Sequence, residues 1–379
     1  MKLQAPAYWQ RRGAIAVLLY PLSLVFRVLV WLRRQSFQHG LKKRTTASVP
    51  VIVVGNISVG GAGKTPLVIA LAEQLADLGR APGIVSRGYG GSETAATLVN
   101  VKAVPEVVGD EALMIARRTG MPVAVCAKRA DAVQLLTDQC NCDVILSDDG
   151  LQHYALNRQL EICVIDARAG LGNGWCLPAG PLREPPVRLQ DVDLVVYSGS
   201  EQEVASDSDV RRAVSGFLRR STVSSTCIRA PGAAPGAAPG TAPGTTSETT
   251  GRVNTKPFEA AYTLQVEAAI NLADSARQCS LAEFAGQQIN AVAAIGRPQK
   301  FFDQLRRYGL SINEHAFSDH HVFRASDLAF NDGLPVLMTE KDSVKCDAFA
   351  DDNLWYVRVV ADLDNGIVDA VMDGISGRQ

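Results

Sequence analysis

A glycine-rich segment followed by lysine and threonine carries the strongest chemical signal in this chain of 379 residues. It comes directly after the apolar run at residues 51–54 and reads Ser58, Val59, Gly60, Gly61, Ala62, Gly63, Lys64 and Thr65. Backbone N–H groups of such a loop bind phosphate at a helix N-terminus, the lysine neutralises phosphate charge, and the threonine hydroxyl can ligate Mg²⁺. The segment predicts a nucleotide site, although Ser58 stands where the strict motif has glycine.

Two acidic pairs could supply the carboxylates that phosphate chemistry needs. Asp148 and Asp149 follow the apolar run at residues 144–146, which places them at the sheet edge that the glycine-rich loop occupies, within reach of Mg²⁺. Asp110 and Glu111 open a predicted helix, where a catalytic role competes with helix capping and a favourable interaction with the helix dipole. An Asp-Gly turn is also an ordinary structural element, so spacing alone assigns neither pair.

A histidine pair and an arginine complete the candidate residues. His320 and His321, which follow Asp319, form a histidine pair that could bind a metal, but no third ligand with suitable spacing is evident, and an exposed loop histidine is the ordinary alternative. A histidine that pairs with a carboxylate across a cleft can instead help to deprotonate a hydroxyl group. Arg183 lies in a rigid, proline-bounded turn at residues 180–185, where it could bind a phosphate or carboxylate or belong to a surface loop.

The elements that must position these residues alternate in type from residue 49 onward. Strands are predicted at residues 51–54, 83–86, 122–126, 143–147, 161–165 and 193–197, and helices near 66–78, 111–118 and 130–138. Continuously apolar strands separated by helices indicate an α/β fold, with a parallel sheet covered by helices on both faces. The order of strand, glycine-rich loop and helix makes this sheet similar to that of P-loop nucleotide-binding proteins.

The composition changes sharply after this region. Residues 230–245 consist of four consecutive Ala-Pro-Gly-Ala or Ala-Pro-Gly-Thr units, which cannot build a packed core and predict a disordered or extended linker. A second, smaller α/β domain follows, with strand patterns at 262–266, 289–295, 336–338 and 354–360 and a helix near 298–308. The predicted organisation is therefore an arm at 1–48, a nucleotide-binding domain at 49–225, a linker at 226–257 and a smaller domain at 258–379.

Composition and charge narrow the class of protein. Hydrophobic residues make up 47% of the chain and charged residues 20%, which is typical of a folded globular protein. The net charge of −1 gives no indication of nucleic-acid binding, and nothing in the sequence requires an obligate protein partner. The eight cysteines are scattered without a Cys-x-x-Cys pair, which favours a reduced, cytosolic compartment.

The N-terminal arm is strongly basic. No aspartate or glutamate occurs between residues 1 and 72, whereas nine lysines and arginines precede the glycine-rich loop. Inside the arm lies an apolar stretch at residues 14–32, which Pro21 and Arg27 interrupt. Such a stretch beside basic residues could be a membrane-contacting segment, a signal peptide or a helix that packs on the protein's own core.

The residues within the arm discriminate between these alternatives. A cleaved signal peptide needs small residues after the apolar run, where this chain has Arg33 and Arg34. A transmembrane helix of about 20 residues would place Arg27 in the bilayer at a cost of a few kcal/mol. A pair of interfacial helices needs only an apolar face and basic flanks that reach anionic headgroups. The pattern favours the interfacial arrangement over a span or a helix packed on the protein's own core.

Two functional classes fit these features. A kinase would transfer the γ-phosphate of ATP to a hydroxyl group of an acceptor held at the membrane. A membrane-recruited regulatory ATPase shares the glycine-rich loop and the basic membrane segment, but it would hydrolyse ATP slowly and use the nucleotide state to control a partner. The residues alone favour the kinase only slightly.

The motifs taken together resemble the tetraacyldisaccharide 4′-kinase family, which acts in lipid A biosynthesis in Gram-negative bacteria. The similarity covers nearly the full chain apart from the linker and runs through residues 54–57, 60–66, 86–91, 109–111, 148–153, 172–174, 177–184, 319–320 and 339–342. The resemblance implies transfer of phosphate from ATP, with Mg²⁺, to the 4′-hydroxyl of a tetraacylated glucosamine disaccharide 1-phosphate. It also implies a peripheral or monotopic enzyme on the anionic, cytoplasmic face of the inner membrane, where its acceptor lies.

The resemblance further implies a role for each motif residue. By motif position Asp110 is expected to be the catalytic base, with His320 in support and Lys64 on the phosphates. The loop residues 58–65 would bind the nucleotide, and Arg183 would contact substrate or phosphate. The expected surroundings of the magnesium are Thr65, Glu111, Asp148 and Asp149.

Overall fold

The computed structural model describes residues 6–200, 203–204, 208–219 and 257–376. Its strands are β1 (Val51–Gly55), β2 (Pro82–Ser86), β3 (Thr97–Leu98), β4 (Val123–Val125), β5 (Val144–Asp148), β6 (Leu160–Asp166), β7 (Leu194–Gly199), β8 (Phe258–Asn271), β9 (Gln278–Cys279), β10 (Gln288–Ala293), β11 (Ser311–Ala316), β12 (Val336–Thr339) and β13 (Leu354–Leu363). The predicted linker at residues 226–257 lies outside the described residues, apart from Pro257.

The α-helices of the described residues flank these strands. They are α1 (Ala14–Gln38), α2 (Lys64–Asp77), α3 (Pro105–Val108), α4 (Asp110–Thr119), α5 (Arg129–Cys140), α6 (Ser208–Arg219), α7 (Pro298–Arg307), α8 (Ala325–Leu328), α9 (Glu340–Ser343) and α10 (Asn365–Ser376). Short 3₁₀ turns occur at Ala7–Trp9, Pro186–Asp191, Leu281–Phe284 and Asp347–Phe349.

The strands form one continuous sheet in the order β11-β10-β12-β13-β8-β7-β6-β1-β5-β2-β4-β3, with β9 beside β8. β1, β2 and β4 to β8 run parallel to one another, and we call them the first block. β10 to β13 also run parallel to one another and form the second block. The antiparallel pairing of β8 with β13 joins the two blocks.

Helices cover both faces of the first block because its strands are apolar on both sides. Ile52 and Val54 of β1 pack with α2, α4 and α10, whereas Val51 and Val53 face the core that includes α5 and α6. All five residues of β1 are buried. This arrangement confirms the predicted α/β fold with a helix-covered parallel sheet.

The second block has its own hydrophobic cores on the two sides of β10. Ala291 packs with Phe302 and Leu305 of α7, and Val292 packs with Phe323 and the residues that surround it. The edge strand β11 was not predicted, because its sequence Ser-Ile-Asn-Glu-His-Ala is largely polar and half exposed. An edge strand with little buried apolar surface gives a weak hydrophobic pattern.

A two-stranded segment connects the blocks, and we call it the neck. Residues 258–263 of β8 pair with β7, and residues 354–357 of β13 pair with the neighbouring strand β12. Between these regions, residues 264–266 of β8 pair with residues 359–361 of β13 beside a register shift at Arg358/Val359. Because the start of β8 and α10 pack with the first block, residues 258–376 contribute to both blocks. The exact division of the chain into domains stays a prediction.

The apolar arm forms a single helix, α1, rather than the expected pair. Pro21 lies inside it, where it removes one backbone hydrogen bond without ending the helix. Ser23 is buried and donates a hydrogen bond to the carbonyl oxygen of Cys176 at 2.8 Å, and Arg34 pairs with Asp191 at 2.8 Å. By length and composition α1 could cross a membrane. Only 11% of its most apolar 18-residue stretch is buried against the protein.

Candidate active site

The glycine-rich loop lies between β1 and α2, as the sequence predicts, and two side chains of the first block hold its backbone. The hydroxyl of Ser198 donates a hydrogen bond to the carbonyl oxygen of Ala62 at 2.5 Å, and that of Tyr262 donates to Gly63 at 2.6 Å. Gly63 caps α2 with φ +80°, and a Cβ there would lie 2.9 Å from the Tyr262 hydroxyl. Glycine is therefore required at this position.

The start of the loop runs beside the turn that carries Arg183. The amide of Val59 donates to the carbonyl oxygen of Pro181 at 2.8 Å, and the amide of Arg183 donates to Ile57 at 2.7 Å. Ser58 forms a single β-bridge with Leu182 in the same stretch. These backbone contacts place the Arg183 side chain at the glycine-rich loop although the two segments are far apart in sequence.

Lys64 and Arg183 meet at the carboxylate of Asp149. The Nζ of Lys64 lies 3.2 Å from Oδ1 of Asp149 and donates to Oδ1 of Asn56 at 3.3 Å. The Nη1 of Arg183 lies 3.2 Å from Oδ2 of Asp149. Burial raises the pKa of Asp149, but the Lys64 and Arg183 cations outweigh it and bring the pKa below its ordinary value. The backbone of Asp149 has φ +46°, a conformation that non-glycine residues adopt at a cost and that often marks functional sites.

Asp148, at the end of β5, is buried beside this cluster. Burial and the nearby charge of Glu111 raise the pKa of Asp148 to about 7, although Lys64 acts in the opposite direction. Its Oδ1 is buried and has no hydrogen-bond partner among the described residues. Arg129 donates hydrogen bonds to the backbone carbonyl of Asp148 and to Ser147, so it fixes the strand end without pairing with this oxygen.

The unpartnered oxygen of Asp148 fits a divalent cation. A cation would supply the missing interaction and would favour the charged form of the carboxylate. Within the described residues no group of three or more His, Cys, Asp and Glu side chains could hold a metal by itself. Mg²⁺ does not require such a group, because in phosphoryl-transfer sites it takes one or two carboxylates and completes its shell with phosphate and water.

A second cluster brings the two blocks together at Asp110, the first residue of α4. The Nδ1 of His320 lies 3.0 Å from Oδ2 of Asp110, and the ring of Tyr89 packs against His320 at 4.7 Å. Asp110 is buried, with 4% of its surface exposed. His320 has φ +58°, so a second site residue adopts an unusual backbone conformation. The structure thus brings His320 of the second block into contact with a carboxylate of the first block.

Two lysines of the second block also face Asp110, and neither was assigned a role from the sequence. The Nζ atoms of Lys341 and Lys345 each lie 3.9 Å from Oδ2 of Asp110, and Lys341 lies 3.5 Å from Nε2 of His320. A lysine can only donate to Nε2, so the hydrogen-bond network assigns the ring proton of neutral His320 to Nδ1. Burial raises the pKa of Asp110, but the His320 hydrogen bond and the two lysines lower it below its ordinary value.

Glu111 connects the two clusters. Its carboxylate lies 3.1 Å from the Nζ of Lys341, and its charge acts on Asp148. Thr65 follows Lys64 in the first turn of α2 and is half buried. The structure therefore gathers the predicted residues into two adjoining groups, with Lys64, Asp148, Asp149 and Arg183 at the loop and Asp110 and His320 at α4. One feature of the sequence could have identified Lys341 as a site residue. It follows the apolar strand β12, and ligands bind at the carboxyl ends of parallel strands.

Comparison with known proteins shows a family that matches nearly the whole chain. The tetraacyldisaccharide-1-P 4′-kinase family model matches residues 15–376. Tetraacyldisaccharide 4′-kinase from Azoarcus sp. (strain BH72) is 44% identical over 370 residues, which cover 97% of this chain and 94% of that protein. The enzyme of the same name from Aromatoleum aromaticum is 41% identical over 379 residues and covers 99% and 98%.

A solved structure shares the fold. The crystal structure of LpxK from Aquifex aeolicus, described as an "apo" form in complex with ATP, superposes with a TM-score of 0.69 at 23% sequence identity. The match covers 95% of this chain and 99% of that one, so it includes both blocks and the neck. The family model and the full-length relatives lead to one assignment: this chain belongs to the tetraacyldisaccharide-1-phosphate 4′-kinase family.

Proposed function

We propose that this protein transfers the γ-phosphate of ATP to the 4′-hydroxyl of a tetraacylated glucosamine disaccharide 1-phosphate, a step of lipid A biosynthesis. The observation that carries the proposal is the contact between Asp110 and His320 beside a glycine-rich phosphate loop. A loop of this kind binds a nucleotide, and a buried, ionised carboxylate next to it suits the activation of an acceptor hydroxyl. The full-length relatives are named for this reaction.

Asp110 is the proposed catalytic base. Its lowered pKa keeps it ionised at neutral pH, so it can accept a hydrogen bond from the acceptor hydroxyl and then its proton. Such a carboxylate is a weak base, which agrees with a reaction in which positioning and charge neutralisation supply most of the rate. The Nδ1–H of His320 donates a hydrogen bond to Asp110 and thereby orients the carboxylate.

The glycine-rich loop and its surroundings are the proposed ATP and magnesium site. Residues 58–65 bind the phosphates through backbone N–H groups, and Lys64 neutralises their charge. Arg183 contacts phosphate or substrate from the other side of Asp149. A magnesium ion bound here would offset charge on the phosphates, and the residues that suit it are Thr65, Glu111, Asp148 and Asp149.

We further propose that α1 attaches the enzyme to the cytoplasmic face of the bacterial inner membrane. Leu18 is 79% exposed and Leu29 is 59% exposed, in a helix that exposes ten large apolar side chains between residues 15 and 32. A cavity of about 270 Å³ between α1 and the body is lined by Arg12 and Arg27 and by no acidic residue. Apolar contact with acyl chains and cationic contact with headgroups together support surface attachment.

The reaction is tested by incubating the purified protein with γ-labelled ATP, Mg²⁺ and tetraacyldisaccharide 1-phosphate in mixed detergent micelles. We expect label in the lipid, at a rate that depends on both the lipid and Mg²⁺. Label that appears only as free phosphate would contradict the kinase assignment and favour a membrane-recruited regulatory ATPase. Incubation with a lipid that already carries a 4′-phosphate is the matched control, because it offers the same acyl chains without the acceptor hydroxyl.

Membrane attachment is tested by replacing Leu18 and Leu29 of α1 with aspartate. Each charge lies on the exposed apolar face, so membrane binding should weaken by at least about tenfold while the fold is retained, because burying a carboxylate among acyl chains costs several kcal/mol. Flotation with vesicles that contain anionic phospholipid measures the bound fraction. Replacing the exposed Leu78 at the end of α2 by aspartate is the control, and equal losses for both proteins would argue against α1 as the attachment site.

A further inference from the structure

Two cations of the second block reach across to the first block beside the glycine-rich loop. Arg297 precedes α7, and Lys300 lies in its first turn. The Nη1 of Arg297 lies 3.4 Å from Oδ2 of Asp166, and the Nζ of Lys300 lies 3.2 Å from the same oxygen. Asp166 ends β6, the strand that pairs with β1 on the side away from β5. These contacts are separate from the Asp110 cluster.

The position of the Arg297 side chain relates it to the phosphate loop. A Cβ built on Gly60 would lie 3.3 Å from both Nε and Nη2 of Arg297, so the guanidinium covers the backbone of the loop at that point. Gly60 has φ +109°, which only glycine adopts readily, and a Cβ there would make a tight contact with the arginine. The loop and Arg297 are therefore packed against each other without an intervening side chain.

The charges at this place do not balance. The other oxygen of Asp166, Oδ1, accepts hydrogen bonds from the backbone amides of Arg168 and Ala169, which fixes the carboxylate in the first block. Arg297 and Lys300 share the remaining oxygen. The carboxylate of Glu203 also acts on Lys300, but it already pairs with Arg307, so positive charges outnumber negative ones here. About a third of each cationic side chain is exposed, which leaves donors available to a ligand. A net positive charge over a phosphate loop suits the oxygens of a polyphosphate.

α7 makes two further ion pairs with the first block. Arg307, at the other end of the helix, pairs with Glu203 at 3.2 Å, and Asp303 lies 3.7 Å from Arg168. Contacts along the whole helix thus hold it near the first block. A purely structural role for Arg297 would duplicate a function that other ion pairs already provide.

We propose that Arg297 and Lys300 are nucleotide-binding residues that contact the phosphate oxygens of ATP, with Asp166 as their partner when no phosphate is present. The inference rests on the proposed function, because it places the phosphates of ATP on the glycine-rich loop. In this arrangement the second block supplies residues to the nucleotide site as well as the residues that surround the proposed base, Asp110. Binding of ATP then adds contacts that span the two blocks.

The test compares the affinities for ATP and for AMP, both with Mg²⁺ and without acceptor, in full-length protein. Arg297→Gln and Lys300→Gln should each weaken ATP binding by about 10- to 100-fold, the effect of losing a hydrogen bond to a charged group. Binding of AMP should change by less than about threefold, because AMP lacks the phosphates that a contact over the loop would reach. Arg307→Gln is the matched control, since it removes an ion pair between the blocks from the same helix. It should leave the ratio of the two affinities unchanged.

The possible outcomes separate this inference from the proposed function. If Arg297→Gln and Arg307→Gln change ATP affinity equally, or if the ratio of ATP to AMP affinity stays constant, the two cations are structural and the inference is wrong. Lys64→Ala, measured in parallel, reports on the loop itself. If Lys64→Ala loses ATP binding but the Arg297 and Lys300 variants keep it, only the inference is contradicted. If Lys64→Ala binds ATP normally, the proposed role of the loop in binding phosphate is contradicted, and the inference with it. Thermal unfolding of each variant confirms that the fold is intact.

Discussion

Replacing Asp110 by asparagine should lower the rate of phosphoryl transfer by about 10²- to 10⁴-fold, the usual contribution of a general base. Asparagine has nearly the same shape but cannot take the proton of the acceptor hydroxyl. Because Asp110 is buried against His320, Lys341 and Lys345, the change also removes the negative charge that holds these donors together. The rate is measured with saturating ATP and lipid, so that weaker binding does not enter the result.

The control for this variant is Glu106→Gln, on the short helix α3 that precedes Asp110. Glu106 is exposed and loses the same charge, so its activity should stay near normal. An Asp110→Asn protein that keeps more than about a tenth of the activity would contradict the assignment of the base.

The same site predicts a direction for the effect of pH. His320→Ala removes a hydrogen bond that favours the ionised form of Asp110, so the pKa of Asp110 should rise. The acid side of the pH–rate profile should therefore move to higher pH, in addition to a fall in rate at neutral pH. A profile that keeps its position would show that His320 acts on the reaction without affecting Asp110.

Replacing Lys64 by alanine should lower the transfer rate by about 10²- to 10³-fold, the loss expected when one preorganised donor to a developing charge is removed. Lys64 lies in the first turn of α2, and its Nζ faces Asp149 and Asn56. Asp149 keeps Arg183 as a partner in this variant, so its carboxylate is not left unpaired. Rates at saturating ATP, together with the ATP concentration at half-maximal rate, measure the effect.

Lys102→Ala is the control for Lys64, because Lys102 is an exposed lysine in the loop before α3 and its loss changes the net charge equally. Activity should remain within about twofold of the unaltered protein. Similar losses in the two variants would mean that overall charge, rather than a contact with phosphate, explains the result for Lys64.

Sequence reasoning located the first block and several residues of the candidate site because these depend on local patterns. Apolar runs that end in Gly, Asp or Ser predict buried strands and the loops at their carboxyl ends, and the glycine-rich loop specifies its own geometry. Lys64, Asp148 and Asp149 therefore came directly from motif and position. The assignments of Asp110, Glu111 and His320 needed the family resemblance, since capping or solvent exposure explains such residues equally well.

The remaining features depend on contacts between distant parts of the chain. Lys341 and Lys345 lie near Asp110 because the second block packs beside α4. More than 200 residues separate them from Asp110 in the sequence, so residue spacing could not predict this contact. The position of Arg183 follows from backbone pairing between residues 57–59 and 181–183. The continuity of α1 through Pro21 was missed because a proline more often ends a helix than lies inside one.

The pairing of strands in the neck limits the insertions that this protein can accept there. Successive side chains of a strand point to opposite faces, so one added residue reverses every side chain beyond it. An insertion in residues 264–266 of β8 must therefore be matched in residues 359–361 of β13 and must come in twos, or it would be taken up as a bulge like the one at Arg358/Val359. A single-residue insertion matched in both strands would reverse these faces and turn Arg297, His320 and Lys341 away from the first block together. Natural variation in length should consequently collect in the surface loops and leave these few residues constant in number.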